Sequence, residues 1–491
     1  MLQTERPVCI EFTTMLANRT GRSDTNSPLR RFLSGAMVIP TERTVCTRHH
    51  SQRGDLMAAQ KPAAAQTGLS AVAFVKSNPL IPTPTEKANF RVVATMVLAR
   101  LGLMTALSAP LTAGMVLKLQ TLVPATSVVG TLGAITSIGA LAALIFDPIF
   151  GRLSDRTTGR FGRRRLWMIF GALALAIALV AMSFATSVVL LGLFWVLGQL
   201  VGNAAVSAHT ATIADQLPPT QRGKVSGAVG IAQQAAQYVA AFTAAMVAPN
   251  LLLLFLIPGI IGFVLVTLFA IVLPDKPLPR RPESESGWST VWKTFWVSPR
   301  KHPDFAWAWW SRFLLVLANF MFTTFRLLWI QHDLGLTPVK ATQVLATGVL
   351  CYTVSLIIAG QFAGWLSDRV KRRKIFIIVS AVLFGLGMFA LSFATDAIHF
   401  YLAEVVLGIG FGTYVSVDLA LVIDVLPNPD EAAKDLGVFN IAMTAPQVLA
   451  PGVAAWLIGV GGGQNYTVML IGATISAIIG AALILPVKSV R

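Results

Sequence analysis

Charged side chains are scarce in this sequence. Asp, Glu, Lys and Arg make up 12% of the 491 residues, whereas they make up about 25% of a typical soluble domain. Hydrophobic residues reach 55%, and the mean hydropathy is +0.68. Many apolar runs are long enough for a helix to cross a hydrocarbon core of about 30 Å. The shortage of charge therefore predicts a polytopic membrane protein with helical spans, since a helix satisfies its own backbone groups.

Motifs that carry chemistry are also missing. The three cysteines, Cys9, Cys46 and Cys351, have no metal-ligand spacing, and no disulfide framework is expected. The sequence has no phosphate-cradling loop, no metal-ligand cluster and no nucleophile paired with a base. These absences argue against an enzyme, against a bound metal or cofactor and against a pump driven by ATP.

Twelve apolar segments qualify as spans. The connections after the second, fourth, sixth, eighth and tenth spans hold twenty Lys and Arg, whereas the opposite set holds two, Lys118 and Lys340. Since positively charged loops stay in the cytoplasm, both termini and these five connections are predicted to be cytoplasmic. The same placement explains the net charge of +17 without a nucleic-acid partner. The predicted limits are 91–118, 124–150, 166–185, 187–214, 225–248, 251–273, 308–331, 338–363, 375–394, 397–425, 436–459 and 466–487.

The first 85 residues differ from the rest of the chain. Residues 1–85 are polar and contain no long apolar run, which predicts a disordered cytoplasmic tail. Met57, which opens the stretch MAAQKPAAAQ, is an alternative start of translation. On that hypothesis residues 1–56 are not part of the native protein.

The longest charged connection, 274–307, divides the remaining chain into bundles at 86–273 and 308–491. Three tryptophans recur in it every four residues, a spacing that places them on one helical face. This pattern predicts an amphipathic helix lying on the inner membrane surface, and a soluble linker is the alternative. The tryptophans are Trp288, Trp292 and Trp296.

The two predicted bundles share sequence features. GRLSDRTTGRFGRRR at 151–165 ends the second span, and GWLSDRVKRRK at 364–374 ends the eighth. SAHTATIADQLPP at 207–219 and SVDLALVIDVLPN at 416–428 end the fourth and the tenth. The first pair matches at an offset of 213 and the second at 209, and the difference of four is the extra length of the first loop. Two matches in register across six spans indicate a duplicated bundle.

The sequence G-x-L-S-D-R with an arginine cluster, after the second span and again after the eighth, resembles the loop signature of the major facilitator superfamily. The twelve spans and the repeat of six fit that family over residues 90–491. The longer form DPIFGRLSDRTTGRFGRRR is similar to glycoside–cation and sucrose–proton symporters of the same fold. The resemblance implies an all-α membrane protein of two pseudo-symmetric six-helix bundles. It also implies that a small-molecule substrate crosses the lipid bilayer by alternating access, and we expect a monomer.

The arginine-rich loop predicts a gate as well as a topology signal. Gly151 lets the second span approach a neighbouring helix closely. Asp155 lies just past a helix end, where its carboxylate can pair with an arginine and face a helix N-terminus. We expect these contacts to favour the state closed to the cytoplasm; the alternative is that the arginines only set topology. The gate residues are Asp147, Gly151, Asp155, Arg156, Arg163, Arg164, Gly364, Asp368 and Arg369.

Charges inside the predicted spans are candidates for the substrate path, because each costs at least about 2.5–3.5 kcal/mol to insert. Asp418 is the preferred ion-coupling acid, since it can take up a proton and has no basic neighbour in its own segment; Glu404 is its rival. The alternative is that either acid pairs with Arg326 or Arg100 to hold helices together. Arg312 is assigned to the membrane interface. The pathway residues are Arg100, Gln199, Asn203, His209, Gln233, Gln237, Asn319, Arg326, Tyr352, Glu404, Tyr414 and Asp418.

Two basic residues of the first bundle have open roles. Arg100 is a candidate either for substrate contact or for a charge pair. His209 lies at the repeat position of Asp418, where it could relay protons or pack between helices. Asp147, Asp215 and Asp424 lie at cytoplasmic span ends and are interpreted as structural, and Asp147 is also part of the symporter-like DPIFG.

The neutral amides and phenols of the spans favour a polyhydroxylated ligand. The predicted function is therefore a proton- or sodium-coupled sugar symporter of the cell (inner) membrane. A proton-coupled drug or metabolite exporter is the alternative, and a substrate-sensing receptor is a third interpretation. An acid pair within the first-half spans would favour export of cations, and the sequence lacks one.

Overall fold

The computed structural model describes residues 84–158, 161–248, 250–275, 300–425 and 432–488. Within these segments every regular element is helical, which confirms the all-α prediction. The predicted tail lies outside the described residues. So does the part of the connecting segment that contains the three tryptophans.

Twelve helices follow one another in the described chain, and each corresponds to one predicted span. Eleven of them are long and apolar enough to cross a membrane. The exception, α5, carries four glutamines, Gln221, Gln233, Gln234 and Gln237, that lower its mean hydropathy. The helices are α1 Phe90–Leu122, α2 Ala125–Asp155, α3 Arg165–Phe184, α4 Val188–Gln216, α5 Pro219–Val247, α6 Leu251–Val272, α7 Pro303–Asp333, α8 Pro338–Val370, α9 Arg373–Leu391, α10 Ala397–Val425, α11 Ala432–Gly459 and α12 Tyr466–Leu483.

Local sequence signals set several helix ends. The side chains of Asn89, Ser187 and Asn250 accept hydrogen bonds from backbone N–H groups in the first turns of α1, α4 and α6. Prolines open α5, α7 and α8, where a missing N–H leaves no bond unmade. Inside α1 one turn, Pro110–Gly114, is a π-helix, and the N–H of Met115 donates to the Pro110 carbonyl. Single π turns of this kind occur frequently at functional sites.

The packing of the helices repeats between the two halves. In the N-terminal half α1 packs on α5 and α6, α2 on α4, and α3 on α4 and α6. In the C-terminal half α7 packs on α11 and α12, α8 on α10, and α9 on α10 and α12. The halves meet where α2 packs on α11 and where α5 packs on α8. The structure therefore confirms two pseudo-symmetric six-helix bundles.

The helix ends define two faces of the molecule. The clasp side, as we call it, carries the connections α2–α3 and α8–α9. The far side carries the connections α1–α2 and α7–α8. Both arginine-rich loops lie on the clasp side because the two bundles repeat the same order of helices.

Candidate functional site

The connection between α2 and α3 forms a cluster of ion pairs, the N-terminal clasp, from Asp155, Arg163, Arg164 and Asp215. Arg164 bridges the carboxylates of Asp155, at the end of α2, and Asp215, near the end of α4. Arg163 also pairs with Asp215. The two arginines are only 1% and 3% exposed, so water screens these charges weakly. The clasp ties the ends of α2 and α4 to the start of α3.

A third carboxylate, Asp275, extends the N-terminal clasp to the end of α6. It accepts hydrogen bonds from the backbone N–H groups of Arg164 and Arg165 at 2.6 and 3.0 Å. The Arg165 guanidinium in turn donates to the carbonyl of Leu273, at the end of α6. Gly162 makes room for this contact at φ 97°, since a Cβ there would collide with the Asp275 carboxylate. Sequence analysis missed Asp275, which has no counterpart in the other bundle's repeat.

The C-terminal clasp, Asp368, Arg373 and Asp424, repeats the first. Arg373 pairs with Asp424 at 2.6 Å and lies 3.8 Å from Asp368. Arg373 follows Arg164 at an offset of 209, the same offset that relates Asp424 to Asp215. One arginine at the start of the third helix of each half thus bridges the carboxylates of the second and fourth helices.

Two glycines beside the clasps mark a second repeated contact. A Cβ on Gly151 would lie 3.1 Å from the Ser207 hydroxyl, and one on Gly364 would lie 2.6 Å from the Ser416 hydroxyl. The second and fourth helices of each half therefore approach closely at the same point. Glycine permits this approach because it has no side chain to displace.

Every ion pair of the two clasps joins helices of a single half. The expectation that the arginine-rich loop locks one half directly against the other has no such contact among the described residues. Of the other gate candidates, Arg156 is exposed, and Arg369 lies 5.6 Å from the centroid of the Trp365 ring. If the clasps affect the opening of the path between the halves, they would do so by fixing how the helices pack within each half.

Asp418 of α10 has a basic partner from a distant part of the chain. Arg312 of α7 pairs with one carboxylate oxygen at 2.9 Å, and the Tyr414 hydroxyl donates to the other at 2.9 Å. The Arg312 guanidinium also lies 4.8 Å from the centroid of the Phe439 ring. The sequence places Arg312 near the membrane interface without a partner, and the packing of α7 and α10 makes it the partner of Asp418.

Glu404 forms a second pair between the same two helices. Nη1 of Arg326 lies 3.0 and 3.2 Å from the two Glu404 carboxylate oxygens. Glu404 is 0% exposed. Beside it the Tyr352 hydroxyl donates to Oδ1 of Asn319 at 3.3 Å. Both intramembrane acids of the C-terminal half are therefore held by arginines; the pairing alternative named Arg326, the partner of Glu404, but not Arg312, the partner of Asp418.

The two ion pairs have the same spacing on both helices. Arg312 and Arg326 are 14 residues apart on α7, and Glu404 and Asp418 are 14 residues apart on α10. Fourteen residues are close to four turns, about 21 Å, so each helix presents both of its charges on one face. The Asp418 pair lies toward the clasp side and the Glu404 pair toward the far side. Neither acid therefore lies at the middle of α10, and each is about two turns away from it.

Arg100 of α1 has neutral partners. Its Nε and Nη2 donate to Oε1 of Gln233 at 3.1 and 2.8 Å, and its Nη1 donates to the Thr210 hydroxyl at 3.2 Å. Asp147 attracts Arg100 through space, without a direct ion pair among the described contacts. Arg100 aligns with Arg312 at an offset of 212. Arginines at the same position of the repeat thus bind an amide, Gln233, in one half and an acid, Asp418, in the other.

Three polar candidates on α4, His209, Asn203 and Gln199, make hydrogen bonds inside the N-terminal half. His209 is 1% exposed, and its Nε2 lies 2.9 Å from the Met96 carbonyl oxygen. Its ring meets the Phe269 ring edge-on at 5.6 Å. Asn203 donates to Oε1 of Gln199 one turn away at 3.1 Å. The structure therefore favours the packing interpretation of His209 over a proton relay.

The two halves touch on the far side and separate toward the clasp side. A Cβ on Gly133 of α2 would lie 2.9 Å from the Pro451 carbonyl oxygen of α11. Asp147 follows Gly133 by 14 residues on nearly the same face of α2, yet it is exposed. At the far end Gln120 of α1 donates to Gln331 of α7 at 2.5 Å. The space between the halves therefore opens toward the clasp side.

Two repeated six-helix bundles, each with buried polar or charged side chains, define the class of secondary membrane transporters. Residues 92–361 and 346–491 match the family described as the Major Facilitator Superfamily. The chain belongs to this family, whose members are transporters and not enzymes.

Among curated proteins, this chain is 32% identical over 115 residues to the inner membrane metabolite transport protein YgcS of Escherichia coli (strain K12). This match covers 23% of this chain and 24% of YgcS. It is 27% identical over 141 residues to the sucrose transport protein SUC4 of Arabidopsis thaliana. This match covers 28% of this chain and 25% of SUC4. The matched segments therefore span about a quarter of these relatives.

Two solved structures share the fold at low identity. The nucleoside transporter NupG has a TM-score of 0.61 at 15% identity, covering 80% of this chain and 98% of that one. A bacterial homolog of the human lysosomal transporter Spinster, in an inward-facing and unoccupied conformation, has a TM-score of 0.57 at 13% identity, covering 81% and 94%.

Proposed function

We propose that this transporter moves a neutral, polyhydroxylated solute of the sugar class across the cell membrane together with a coupling ion. The observation that carries the proposal is the uneven distribution of charge along the path. The N-terminal half offers neutral hydrogen-bonding groups around one arginine. The C-terminal half offers acids that are already neutralised.

The N-terminal cluster suits hydroxyl groups. Arg100 and the amides of α5 present several donors and acceptors in a small space. Gln237 lies one turn beyond Gln233 on the same helix face, is partly exposed, and makes no hydrogen bond within the described part of the chain. A solute with many hydroxyls could bond to such groups without bringing a charge into the membrane.

The C-terminal acids are poorly suited to bind a cationic substrate. A cation would have to displace Arg312 from Asp418 or Arg326 from Glu404. Breaking a buried pair without a replacement partner costs about 3–5 kcal/mol. The same arrangement suits coupling, because a proton on the acid would release its arginine.

Asp418 remains our preferred coupling acid, with Glu404 as its rival. The side chains of Arg312 and Asp418 are 15% and 7% exposed, compared with 6% and 0% for Arg326 and Glu404. The Asp418 pair also lies toward the side on which the halves separate. It is therefore the pair that the solution on the clasp side reaches more readily.

A proton is favoured over sodium as the coupling ion. The Asp418 carboxylate has a guanidinium at 2.9 Å, which would repel a sodium ion at the same oxygens. Within the described residues, no group of three or more His, Cys, Asp or Glu side chains could hold a metal ion. Protonation needs only one carboxylate and no set of ligands.

Uptake by the purified protein in liposomes tests the proposal. Labelled mono- and disaccharides would be offered under an imposed pH gradient, under a sodium gradient, and under neither. We expect accumulation only under the pH gradient, and accumulation that is abolished by a protonophore. Uptake driven by the sodium gradient would show that sodium, and not a proton, is the coupling ion. The absence of any sugar uptake would contradict the proposed substrate class.

One observation favours the alternative of an exporter. Asp147 is exposed beside Arg100 and could receive a cationic drug or metabolite. Under that alternative, cells that overproduce the protein should become resistant to cationic drugs. Asp147→Asn should then abolish resistance while leaving the amount of protein in the membrane unchanged.

We propose that the clasp side faces the cytoplasm, so that the described conformation is open inward and both termini are cytoplasmic. The basic residues of the clasps support this orientation. Phe161 and Lys371 are exposed positions in the two arginine-rich loops, and single cysteines there can be labelled in a Cys351→Ser background that also lacks Cys9 and Cys46. Both should react only after the membrane is permeabilised. Labelling from opposite sides would contradict the duplicated-bundle topology.

A further inference from the structure

A pocket on the far side of the C-terminal half is lined by none of the four residues of the two ion pairs. It has a volume of about 510 Å³ and is formed by the α7–α8 connection, the start of α8, the α9–α10 connection and the start of α10. Its lining combines a cation and hydrogen-bonding groups with apolar side chains. The groups used below are Lys340, Gln343, Tyr401 and Asp396.

The positive charge in the pocket has no partner. Within the described part of the chain, the Lys340 ammonium makes no ion pair and no hydrogen bond. The Gln343 amide and the Tyr401 hydroxyl also make none. Three polar groups with free bonding capacity therefore line one cavity.

The acid of the lining is engaged elsewhere. Asp396 accepts hydrogen bonds from the backbone N–H groups of Ile398 and His399 at 2.9 Å each, and its carboxylate lies 3.0 Å from the His399 ring. The bond from the His399 backbone and the His399 ring hold the pKa of Asp396 below its ordinary value, outweighing the opposing effect of burial. This carboxylate caps α10 and forms no ion pair with Lys340 within the described residues.

The pocket lies where a membrane surface would meet the protein. Lys340 is in the first turn of α8 and Tyr401 in the second turn of α10, and residues of these types are typical of the membrane–water boundary. Deeper along α8, Leu350, Val354 and Ile358 are 38%, 45% and 64% exposed. Their spacing of four residues places them in one stripe, below the pocket.

We propose that this pocket binds the phosphate headgroup of a phospholipid from the far-side leaflet. Lys340 would supply the counter-charge, and Gln343 and Tyr401 would donate to the phosphate oxygens. One acyl chain would lie along the apolar stripe of α8. The charge of the phosphodiester complements the unpaired ammonium, and the stripe continues into hydrocarbon. This proposal is independent of the transported solute.

Native mass spectrometry of the delipidated full-length protein, titrated with phosphatidylglycerol, tests the proposal. We expect Lys340→Gln to weaken the first binding event about tenfold, the factor that corresponds to 1.4 kcal/mol. Lys224→Gln is the matched control, because Lys224 is an exposed lysine on the clasp side. Equal weakening by both variants, or by neither, would overturn the proposal.

Two further binding experiments distinguish a phospholipid from a free anion as the ligand of the pocket. A diacyl glycolipid without phosphate should bind no more weakly to Lys340→Gln than to the unaltered protein. Inorganic phosphate and glycerophosphoglycerol should fail to displace phosphatidylglycerol at concentrations where the diacyl lipid is bound. Displacement by either soluble phosphate would assign the pocket to a free anion and contradict the lipid proposal. Tyr401→Phe offers a milder change, for which we expect a two- to threefold weakening, of the size of one hydrogen bond.

Discussion

The two halves of this transporter share a scaffold and differ in the charges that they bury. Arg164 and Arg373 make equivalent bridges on the clasp side. At membrane depth the likeness ends, because the partner of Arg100 is Gln233, whereas the partner of Arg312 is Asp418. The clasps repeat because each half needs its second, third and fourth helices fixed. On our proposal, the buried pairs do not repeat because binding and coupling need different groups.

The second buried pair sharpens this difference. The N-terminal counterparts of Arg326 and Glu404, at offsets of 212 and 209, are Gly114 and Trp195. Gly114 ends the π turn of α1, and Trp195 is buried. The N-terminal half thus uses an irregular helix and an aromatic side chain where the C-terminal half uses an ion pair. We infer that the first half adapts around the solute while the second is fixed by charge.

The largest expected effect is on stability, from Glu404→Gln. This change leaves Arg326 as a buried charge without a carboxylate, which costs about 3–5 kcal/mol. Thermal unfolding in detergent should show a large loss of Tm. The double variant Arg326→Met with Glu404→Met should recover most of it, because it removes both charges. A single variant as stable as the unaltered protein would show that the pair is not structural.

The next largest effect is on coupling, from Asp418→Asn. We expect proton-driven uptake to fall about a hundredfold, equivalent to roughly 2.7 kcal/mol, because the amide cannot take up the proton. Solute exchange without a gradient should persist. His209→Asn at the counterpart position is the matched control and should keep coupling. Loss of coupling in Glu404→Gln but not in Asp418→Asn would transfer the role to the rival acid.

The two clasp arginines should differ in importance. Arg164 is almost fully buried and binds two carboxylates, so Arg164→Gln should cost about 2–3 kcal/mol. Arg373 has a side chain that is 20% exposed and lies 3.8 Å from its second carboxylate, so Arg373→Gln should cost about 1 kcal/mol. Thermal unfolding of the two variants side by side measures the difference. Equal losses of stability would mean that the two clasps contribute equally to the free energy of unfolding.

The smallest effect is expected from the exposed clasp acids. The side chains of Asp155 and Asp368 are 52% and 32% exposed. Asp155→Asn and Asp368→Asn should therefore change stability by less than about 1 kcal/mol. If the clasp shapes the gate, Asp155→Asn should slow transport up to about fivefold while insertion stays normal. Unchanged transport rates in both variants would remove the gating role.

Part of the repeat was readable in the sequence but was missed. Residues 227–240, GAVGIAQQAAQYVA, align with residues 437–450, GVFNIAMTAPQVLA, at an offset of 210. This match places Gln233 opposite Met443 and Gln237 opposite Gln447. It would have shown that the amide partner of Arg100 is specific to one half. Asp275 had no such signal, because its partners are backbone N–H groups of a distant loop.

The sequence by itself determined the twelve helices, their order, the duplication and the two clasp loops. These features follow from hydropathy, helix length and local repeats, which act over neighbouring residues. Only the tertiary structure decided that Asp418 meets Arg312 rather than Arg100, and that Glu404 meets Arg326. Pairing between helices depends on how each helix is rotated and on which helices are neighbours. A charge in hydrocarbon must find a partner, and the fold, not the order of residues, determines which partner is within reach.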